Sequence, residues 1–245
     1  GDIISLGSAT SEITNSVSLL GNVERPGEYE WKKGLRLSDL VQNSMDLLPK
    51  TDLKYGLIRR KLDNGIVKVL SFIPVELFEE GEINPIPLAK KDAVYFFSSE
   101  QPRTSLIDGI LDDLRRQSNS GDRAHIVKVS GLVRFPGEYP LVDDMNLTQL
   151  LDASGGLRDA AYAVSAEITR MSIDEQQRAT LKHLKTASLI DKSFTDSLIL
   201  QSYDHLQIKK VPYWSENSTV ELSGEFVFPG TYQILRGETL ANVIK

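Results

Sequence analysis

Short apolar runs separated by turn residues dominate the chain, and their spacing predicts strands with a few short helices. Val17 to Leu20 is rich in apolar and β-branched residues, and the Pro-Gly pair that follows predicts a tight turn into a return strand. Leu37, Leu40 and Val41 then stand at positions i, i+3 and i+4, which predicts a short helix. Two more strands follow, and Asn64-Gly65 between them is a strong hairpin signal.

The hairpin segment occurs in three copies, which begin at Val17, Val127 and Val220. Each copy keeps glycine, proline, glycine and tyrosine at the same spacing. The first glycine ends a strand, where glycine often marks a close approach of two backbones. We expect the repeated positions to be structural, and they are Gly21, Pro26, Gly27, Tyr29, Gly131, Pro136, Gly137, Tyr139, Gly224, Pro229, Gly230 and Tyr232.

The helix of the second copy carries an end signal that the first copy lacks. Gly155 and Gly156 follow it, and glycine adopts the left-handed conformation of a helix cap without strain. The first copy has Met45-Asp46 there, and a side chain makes that conformation unfavourable, so we expect the first helix to end differently. A second short helix is expected at Val75 to Phe78 and, in the second copy, at Ala187 to Lys192.

A longer helix is predicted between the two copies, from Thr104 to Gln117. Its apolar residues recur at helical spacing and form one stripe. We expect the stripe to pack on a neighbouring module of the same chain, although a partner chain could also cover it. The stripe consists of Leu106, Ile107, Ile110, Leu111 and Leu114.

The repeat divides the chain into five parts. A strand led by aspartate, at Asp92 and at Asp204, is expected to close each module, and Asp2 leads a similar run. We therefore predict the tail of a preceding module at 1–14, a first module at 15–101, a connecting helix and loop at 102–124, a second module at 125–214 and a truncated third module at 215–245. The chain is expected to be an excised piece of a longer protein. Hairpin, helix, hairpin and closing strand is the element order of an α+β, β-grasp fold with small mixed sheets.

The amino-acid composition argues against several classes of function. The net charge of −6 and the pI of about 5.2 argue against a nucleic-acid partner, because nucleic-acid binders present a strongly basic face. The chain has no cysteine, which excludes disulfides and thiolate chemistry. It also lacks the run of about 18 apolar residues that a membrane-spanning helix needs.

Catalytic motifs are absent from the sequence. The three histidines, His125, His183 and His205, do not have the spacing of a metal site, and neither a nucleophile elbow nor a phosphate-binding loop occurs. We therefore predict a protein that is not an enzyme, without catalytic, metal-binding or cofactor-binding residues.

Sugar binding would need exposed aromatic rings for stacking and arginines for acidic groups. The competing interpretation is that the tyrosines pack in the hairpins and the tryptophans cover core edges. The candidate contacts for a glycan or another ligand are Arg25, Trp31, Arg134, Tyr213 and Trp214.

The repeated pattern V-x-x-x-G-x-V-x-x-P-G-x-Y, followed by L-x-x-L and, in the second copy, by Gly155-Gly156, resembles the SLBB domain (soluble-ligand-binding β-grasp). Tandem copies of this domain are typical of bacterial capsule and exopolysaccharide export proteins. The resemblance implies a periplasmic, non-catalytic module, attached to the outer membrane through parts outside this sequence. It would mediate module stacking and oligomer assembly, with weak contact to the polymer. The alternative is a dedicated module for binding a glycan or a small soluble ligand.

The resemblance also implies partners. These would be other copies of the protein or adjacent SLBB modules, the exported polysaccharide, and inner-membrane components of the export apparatus.

Overall fold

A computed structural model describes residues 15–79, 86–119, 121–173, 178–185, 188–212, 214, 219–234 and 237–243. The expected tail of a preceding module at 1–14 and the candidate contact Tyr213 lie outside these residues. The described part is α+β and contains two modules in tandem.

The first module is a mixed five-stranded sheet in the order β2-β1-β5-β3-β4. Its central pair, β1 and β5, is parallel, and the other neighbours are antiparallel. One short helix, α1 (Leu37–Leu40), and 3₁₀ helices at Ser44–Asp46 and Pro74–Phe78 accompany the sheet. The strands are β1 (Ser16–Gly21), β2 (Gly27–Glu30), β3 (Thr51–Lys61), β4 (Val67–Phe72) and β5 (Ala93–Ser98).

The second module repeats this topology, with the order β7-β6-β10-β8-β9 and a parallel pair β6 and β10. Helix α3 (Leu147–Ala153) corresponds to α1, and α4 (Lys192–Ser197) precedes the last strand. The two sheets share the β-grasp-like arrangement that the order of elements predicts. The strands are β6 (Ile126–Gly131), β7 (Gly137–Pro140), β8 (Glu167–Ile173), β9 (Ala179–Lys185) and β10 (His205–Ile208).

Glycine at the end of β6 is required by the parallel pair. Gly131 has φ of +86°, and a Cβ atom added there would lie 1.9 Å from the carbonyl oxygen of Ile208 on β10. Gly21 is in the same situation, 2.0 Å from the carbonyl oxygen of Phe96 on β5. The first glycine of the repeat therefore allows the first and last strands of each module to meet.

The repeated tyrosine closes the hairpin turn. Its hydroxyl donates to the backbone carbonyl four residues earlier, from Tyr29 to Arg25, from Tyr139 to Phe135 and from Tyr232 to Phe228, each at 2.6 Å. The same bond in all three copies explains why the Pro-Gly-x-Tyr spacing is kept.

The aspartate that leads each closing strand is buried and paired. Arg60 donates from Nη2 to Asp92 at 2.6 Å, and Arg170 donates from Nη2 to Asp204 at 2.7 Å. Each aspartate also accepts a backbone N–H from three residues earlier, at 2.8 and 2.9 Å. These equivalent pairs connect the closing strand to β3 in the first module and to β8 in the second.

The two short helices end differently, as expected. Gly155 and Gly156 have φ of +77° and +83° after α3, and the Gly156 N–H bonds to the Leu151 carbonyl at 2.8 Å. In the first module α1 makes a single turn, and a separate 3₁₀ turn follows, capped by the Asn43 side chain. Met45-Asp46 thus avoids the left-handed conformation.

One predicted helix is displaced in the structure. The sequence predicts a helix at 187–192, of which residue 187 lies outside the described residues, whereas α4 begins at Lys192, because the Asp191 side chain accepts the Ser193 N–H and caps it. The other expected short helix, at Val75 to Phe78, lies within the 3₁₀ helix at Pro74–Phe78.

The connecting helix, α2 (Thr104–Gln117), has the predicted bounds. Ile107, Ile110, Leu111 and Leu114 are buried and belong to a core that contains residues of both modules. The apolar stripe therefore packs within the chain. None of the helices described is long and apolar enough to cross a membrane.

A buried arginine joins the two modules at the start of α2. Arg103, whose side chain is 1% exposed, donates to the Asp52 carboxylate of β3 and to the Ala153 carbonyl at the end of α3. Its guanidinium also lies 5.0–5.3 Å from the centroids of three rings, those of Tyr55, Phe97 and Phe135. One side chain thus contacts β3, β5, the second hairpin and α3.

The third copy is a hairpin of β11 (Thr219–Leu222) and β12 (Gly230–Gln233), followed by α5 (Leu240–Val243). Its strands pair with each other and form a separate two-stranded sheet. Phe228 occupies the repeat position of Phe135, yet it is 75% exposed whereas Phe135 is 8% exposed.

We expect Arg103→Ala to lower the free energy of unfolding by about 3–5 kcal/mol, because it leaves the largely buried Asp52 without its cation. Urea denaturation followed by circular dichroism measures the change. Arg116→Ala is the control on the same helix: Arg116 is 74% exposed and pairs with Asp113, so its loss should change stability by only about 0–1 kcal/mol. Equal effects of the two substitutions would contradict the importance assigned to Arg103.

We expect Gly131→Ala to lower the free energy of unfolding by about 2–5 kcal/mol, since it adds a left-handed backbone penalty and a clash with β10. Gly109→Ala is the matched control, because nothing lies within 4 Å of the added Cβ on the exposed face of α2. It should raise stability by about 0.5–1 kcal/mol through helix propensity. Thermal denaturation of both variants tests whether Gly131→Ala lowers stability while Gly109→Ala raises it.

Candidate ligand-binding cleft

A short antiparallel ladder holds two arginines side by side in the second module. The Arg134 N–H donates to the Gly156 carbonyl at 3.0 Å, and the Arg158 N–H donates to the Leu132 carbonyl at 3.1 Å. Val133 stands opposite Leu157 between these bonds. Arg134 and Arg158 are therefore diagonal neighbours on one face of the ladder, about 7–8 Å apart.

Both arginines line a cleft of about 920 Å³ at the junction of the two modules. The first module contributes Ser99 and Glu100 from the end of β5, and Trp214 completes the wall from the segment after β10. Trp214 is 43% exposed, so part of its indole ring is accessible to a ligand. Phe135 also lines the cleft but is buried, so Trp214 is its exposed aromatic ring. An open cleft with one exposed aromatic ring and flanking charged groups suits a polar, ring-shaped ligand.

The arginines of the cleft are not neutralised by carboxylates. Arg134 donates from Nη1 to the Ser99 carbonyl at 2.8 Å, which connects the second hairpin to the end of β5 and leaves its other N–H groups free for a ligand. Within the described ranges, the side chains of Arg158 and Asp159 have no hydrogen bond or ion pair. Glu100 is paired with Lys50 at 2.5 Å.

A smaller cavity of about 340 Å³ adjoins the cleft and shares Ser99 and Arg134 with it. Lys54 and Asp152 also line this cavity. Burial raises the pKa of Asp152, and the positive charge of Lys54 opposes that rise. The two cavities together extend the ligand-accessible surface along the module junction.

The structure brings together two of the five candidate contacts, Arg134 and Trp214. Arg25 lies elsewhere, in a cavity of about 380 Å³ with Tyr29 and Asp39 of the first module. The repeat explains the separation, because Arg25 corresponds to Phe135 rather than to Arg134.

Trp31 packs against the core of the first module. Its indole N–H donates to the Leu88 carbonyl at 2.7 Å, and Lys90 Nζ lies 5.0 Å from the ring centroid. Both the ring of Trp31 and its N–H therefore already have partners within the first module. The Trp214 indole, by contrast, has no hydrogen-bond partner among the residues described.

Sequence reasoning missed Arg158. The signal was available in the repeat, because Leu48 occupies the equivalent place in the first module. The two modules therefore differ in charge at this position, with leucine in the first and arginine in the second.

The histidines stay close to local partners. His205 Nε2 lies 2.7 Å from Ser130 Oγ, and burial together with the charge of Lys128 lowers the pKa of His205. His125 Nε2 lies 3.4 Å from Asp122 Oδ1, and His183 Nδ1 lies 3.4 Å from Thr169 Oγ1. Across the part of the chain that the structure describes, no three potential ligands cluster around a metal-sized site.

A family model for the SLBB domain matches residues 16–44 and 126–178. The chain contains two SLBB segments. The first match covers the hairpin, α1 and the start of the 3₁₀ turn, and the second extends from β6 through β8. No curated protein matches the chain. SLBB is a family of binding domains, not of catalytic ones, so the match supports binding of a soluble ligand in this coarse sense.

The difference between the two tryptophans can be measured. With Trp31→Phe, the remaining Trp214 should be quenched efficiently by acrylamide, because its ring is exposed. With Trp214→Phe, the remaining Trp31 should be quenched several-fold less and should emit at a shorter wavelength. Indistinguishable quenching of the two variants would contradict the difference in exposure between Trp31 and Trp214.

Proposed function

We propose that this chain is a non-catalytic SLBB segment of a polysaccharide export apparatus in the bacterial periplasm. Its modules stack into a rigid unit, and the cleft at their junction makes weak contact with the exported polymer. The observation that carries the proposal is this cleft, which requires both modules and presents Trp214 beside Arg134 and Arg158.

The contact is weak for a physical reason. The cleft is open and has one exposed aromatic ring, Trp214, so a single sugar residue gains little more than one stacking interaction and a few hydrogen bonds. A polymer that must move past the protein needs such reversible contacts, because tight binding at any one site would stop it. Repetition of sugar units along the polymer compensates for low affinity at each contact.

The module junction supports a role in assembly. The second hairpin uses Phe135 to pack beneath Arg103 at the end of the preceding module. Phe228 presents the same type of side chain at the third hairpin, where it is exposed. We propose that adjacent SLBB modules or other copies of the protein cover such hairpins. In this arrangement the apparatus brings the stacked modules, the outer membrane and the inner-membrane components together around the polymer.

A dedicated module for a glycan or small soluble ligand is the second candidate. It is favoured by the cleft volume of about 920 Å³, which lies within the range of about 300–1,000 Å³ of small-molecule sites. The two candidates differ in affinity and in ligand length: a dedicated site saturates with one short ligand, whereas a polymer contact strengthens as the chain of sugars grows.

Amide NMR titration tests the proposed function. We expect millimolar oligosaccharides of two to eight sugar units to shift the signals of residues 132–134, 156–159 and 214, with apparent affinity rising with length. Trp214→Ala should weaken these shifts, while Trp31→Phe, a change outside the cleft, should leave them intact. Saturation by a disaccharide with no gain from length would favour the dedicated site. The absence of cleft shifts with every oligosaccharide would reject polymer contact.

A further inference from the structure

We propose that the cleft selects acidic glycans, and that Arg134 and Arg158 bind the carboxylates of uronic acid residues while a sugar ring stacks on Trp214. The inference rests on the proposed function and specifies the class of polymer. It arises from the juxtaposition of two arginines without carboxylate partners and one exposed aromatic ring in a single cleft.

Charge in the cleft favours an anion. Arg134 uses one N–H for the Ser99 carbonyl, and in the described part of the chain neither it nor Arg158 pairs with an acid. Of the two acids that line the cleft, Glu100 is already neutralised by Lys50, so Asp159 alone opposes the two arginines. The cleft therefore has an uncompensated positive charge.

The chemistry of arginine matches a carboxylate. A guanidinium presents parallel N–H groups in a plane and forms two hydrogen bonds to one carboxylate, which a hydroxyl group cannot reproduce. The diagonal placement of the two arginines, about 7–8 Å apart, lets them engage an acidic glycan at two points instead of one. Two points restrain the orientation of the sugar chain in the cleft more than one point does.

The first module shows that the fold does not need these charges. The same ladder is present there, with the Glu24 N–H donating to the Asp46 carbonyl at 2.9 Å and the Leu48 N–H donating to the Asn22 carbonyl at 3.3 Å. Glu24 and Leu48 occupy the places of Arg134 and Arg158. The ladder itself therefore does not require arginine at either place, and the proposed anion preference belongs to the second module.

Because the whole chain is negatively charged, its preference for acidic glycans must come from contacts in the cleft. With a net charge of −6, the protein repels polyanions at a distance, so an acidic glycan gains nothing from bulk attraction. Binding must come from contacts in the cleft, and the charged part of it should weaken as salt screens the arginines.

The experiment uses ligands that differ only in charge. Hexamers of galacturonate and of mannuronate are each compared with their methyl esters, which keep the sugar backbone and lose the carboxylate charge. Binding is followed by amide NMR and by Trp214 fluorescence in the Trp31→Phe background. We expect each acid to bind about tenfold more tightly than its ester in 50 mM salt, because charge-assisted bonds are stronger than neutral ones. The difference should shrink in 500 mM salt.

Variants taken from the first module make the test specific. Arg134→Glu and Arg158→Leu install residues that the same ladder already carries, so the variants should fold. Each should remove most of the preference for the acid while leaving the weak affinity for the ester. Trp214→Ala should weaken acid and ester alike, and Arg25→Glu, in the hairpin of the first module, should change neither.

The outcomes separate the two proposals. Equal binding of acid and ester at the cleft would overturn the acidic preference and leave the proposed function standing. Acid-specific shifts that persist in the Arg134→Glu and Arg158→Leu double variant would also overturn it, because the anion would then bind elsewhere. The absence of any binding to the cleft, by acid and ester, would reject both the preference and the polymer contact.

Discussion

A buried guanidinium links the two modules at the edge of the apolar core that they share with α2. Arg103 reaches Asp52 on one side and the Ala153 carbonyl on the other, and three aromatic rings surround it. Burial of an arginine is unfavourable unless charge and hydrogen bonds compensate it, and its Nε remains without a partner. The position of the second hairpin depends on this arrangement, because Phe135 lies against Arg103 while the adjacent Arg134 lines the cleft. The cleft and the junction of the two modules therefore share one structural basis.

Periodicity was sufficient to predict the modules and the connecting helix. The repeated Gly, Pro, Gly and Tyr positions imposed the same hairpin three times, and the spacing of Ile107, Ile110 and Leu114 defined one buried helical face. The start of α4 was misplaced because a side-chain cap at Asp191 decides it, and the apolar pattern carries no such information. Apolar spacing therefore predicted which elements form, whereas the exact helix start depended on a polar side chain.

The residues of the cleft could be predicted only in part, because they come from segments that are far apart in the sequence. Arg134 and Trp214 were candidates by residue type, yet 80 residues separate them and nothing in either segment indicates that they line one cavity. The repeat aligns Arg158 with Leu48, but this difference alone does not indicate that Arg158 lines the same cavity as Arg134. Arg103 was not singled out, because a buried arginine and a solvated one look identical in a sequence. Contacts between modules depend on the packing of complete units, which short-range patterns do not encode.

The tyrosine bond of each hairpin has a consequence for how such repeats diversify. Because the hydroxyl closes the turn onto its own backbone, the shape of the tip does not depend on the two side chains that precede the proline. Those two positions hold Glu24 and Arg25, Arg134 and Phe135, or Val227 and Phe228. Evolution can thus exchange the pair, and with it the neighbour or ligand that each tip contacts, while the scaffold beneath stays the same. Tandem duplication of such a unit therefore yields several surfaces that can change independently, while every copy keeps the same fold.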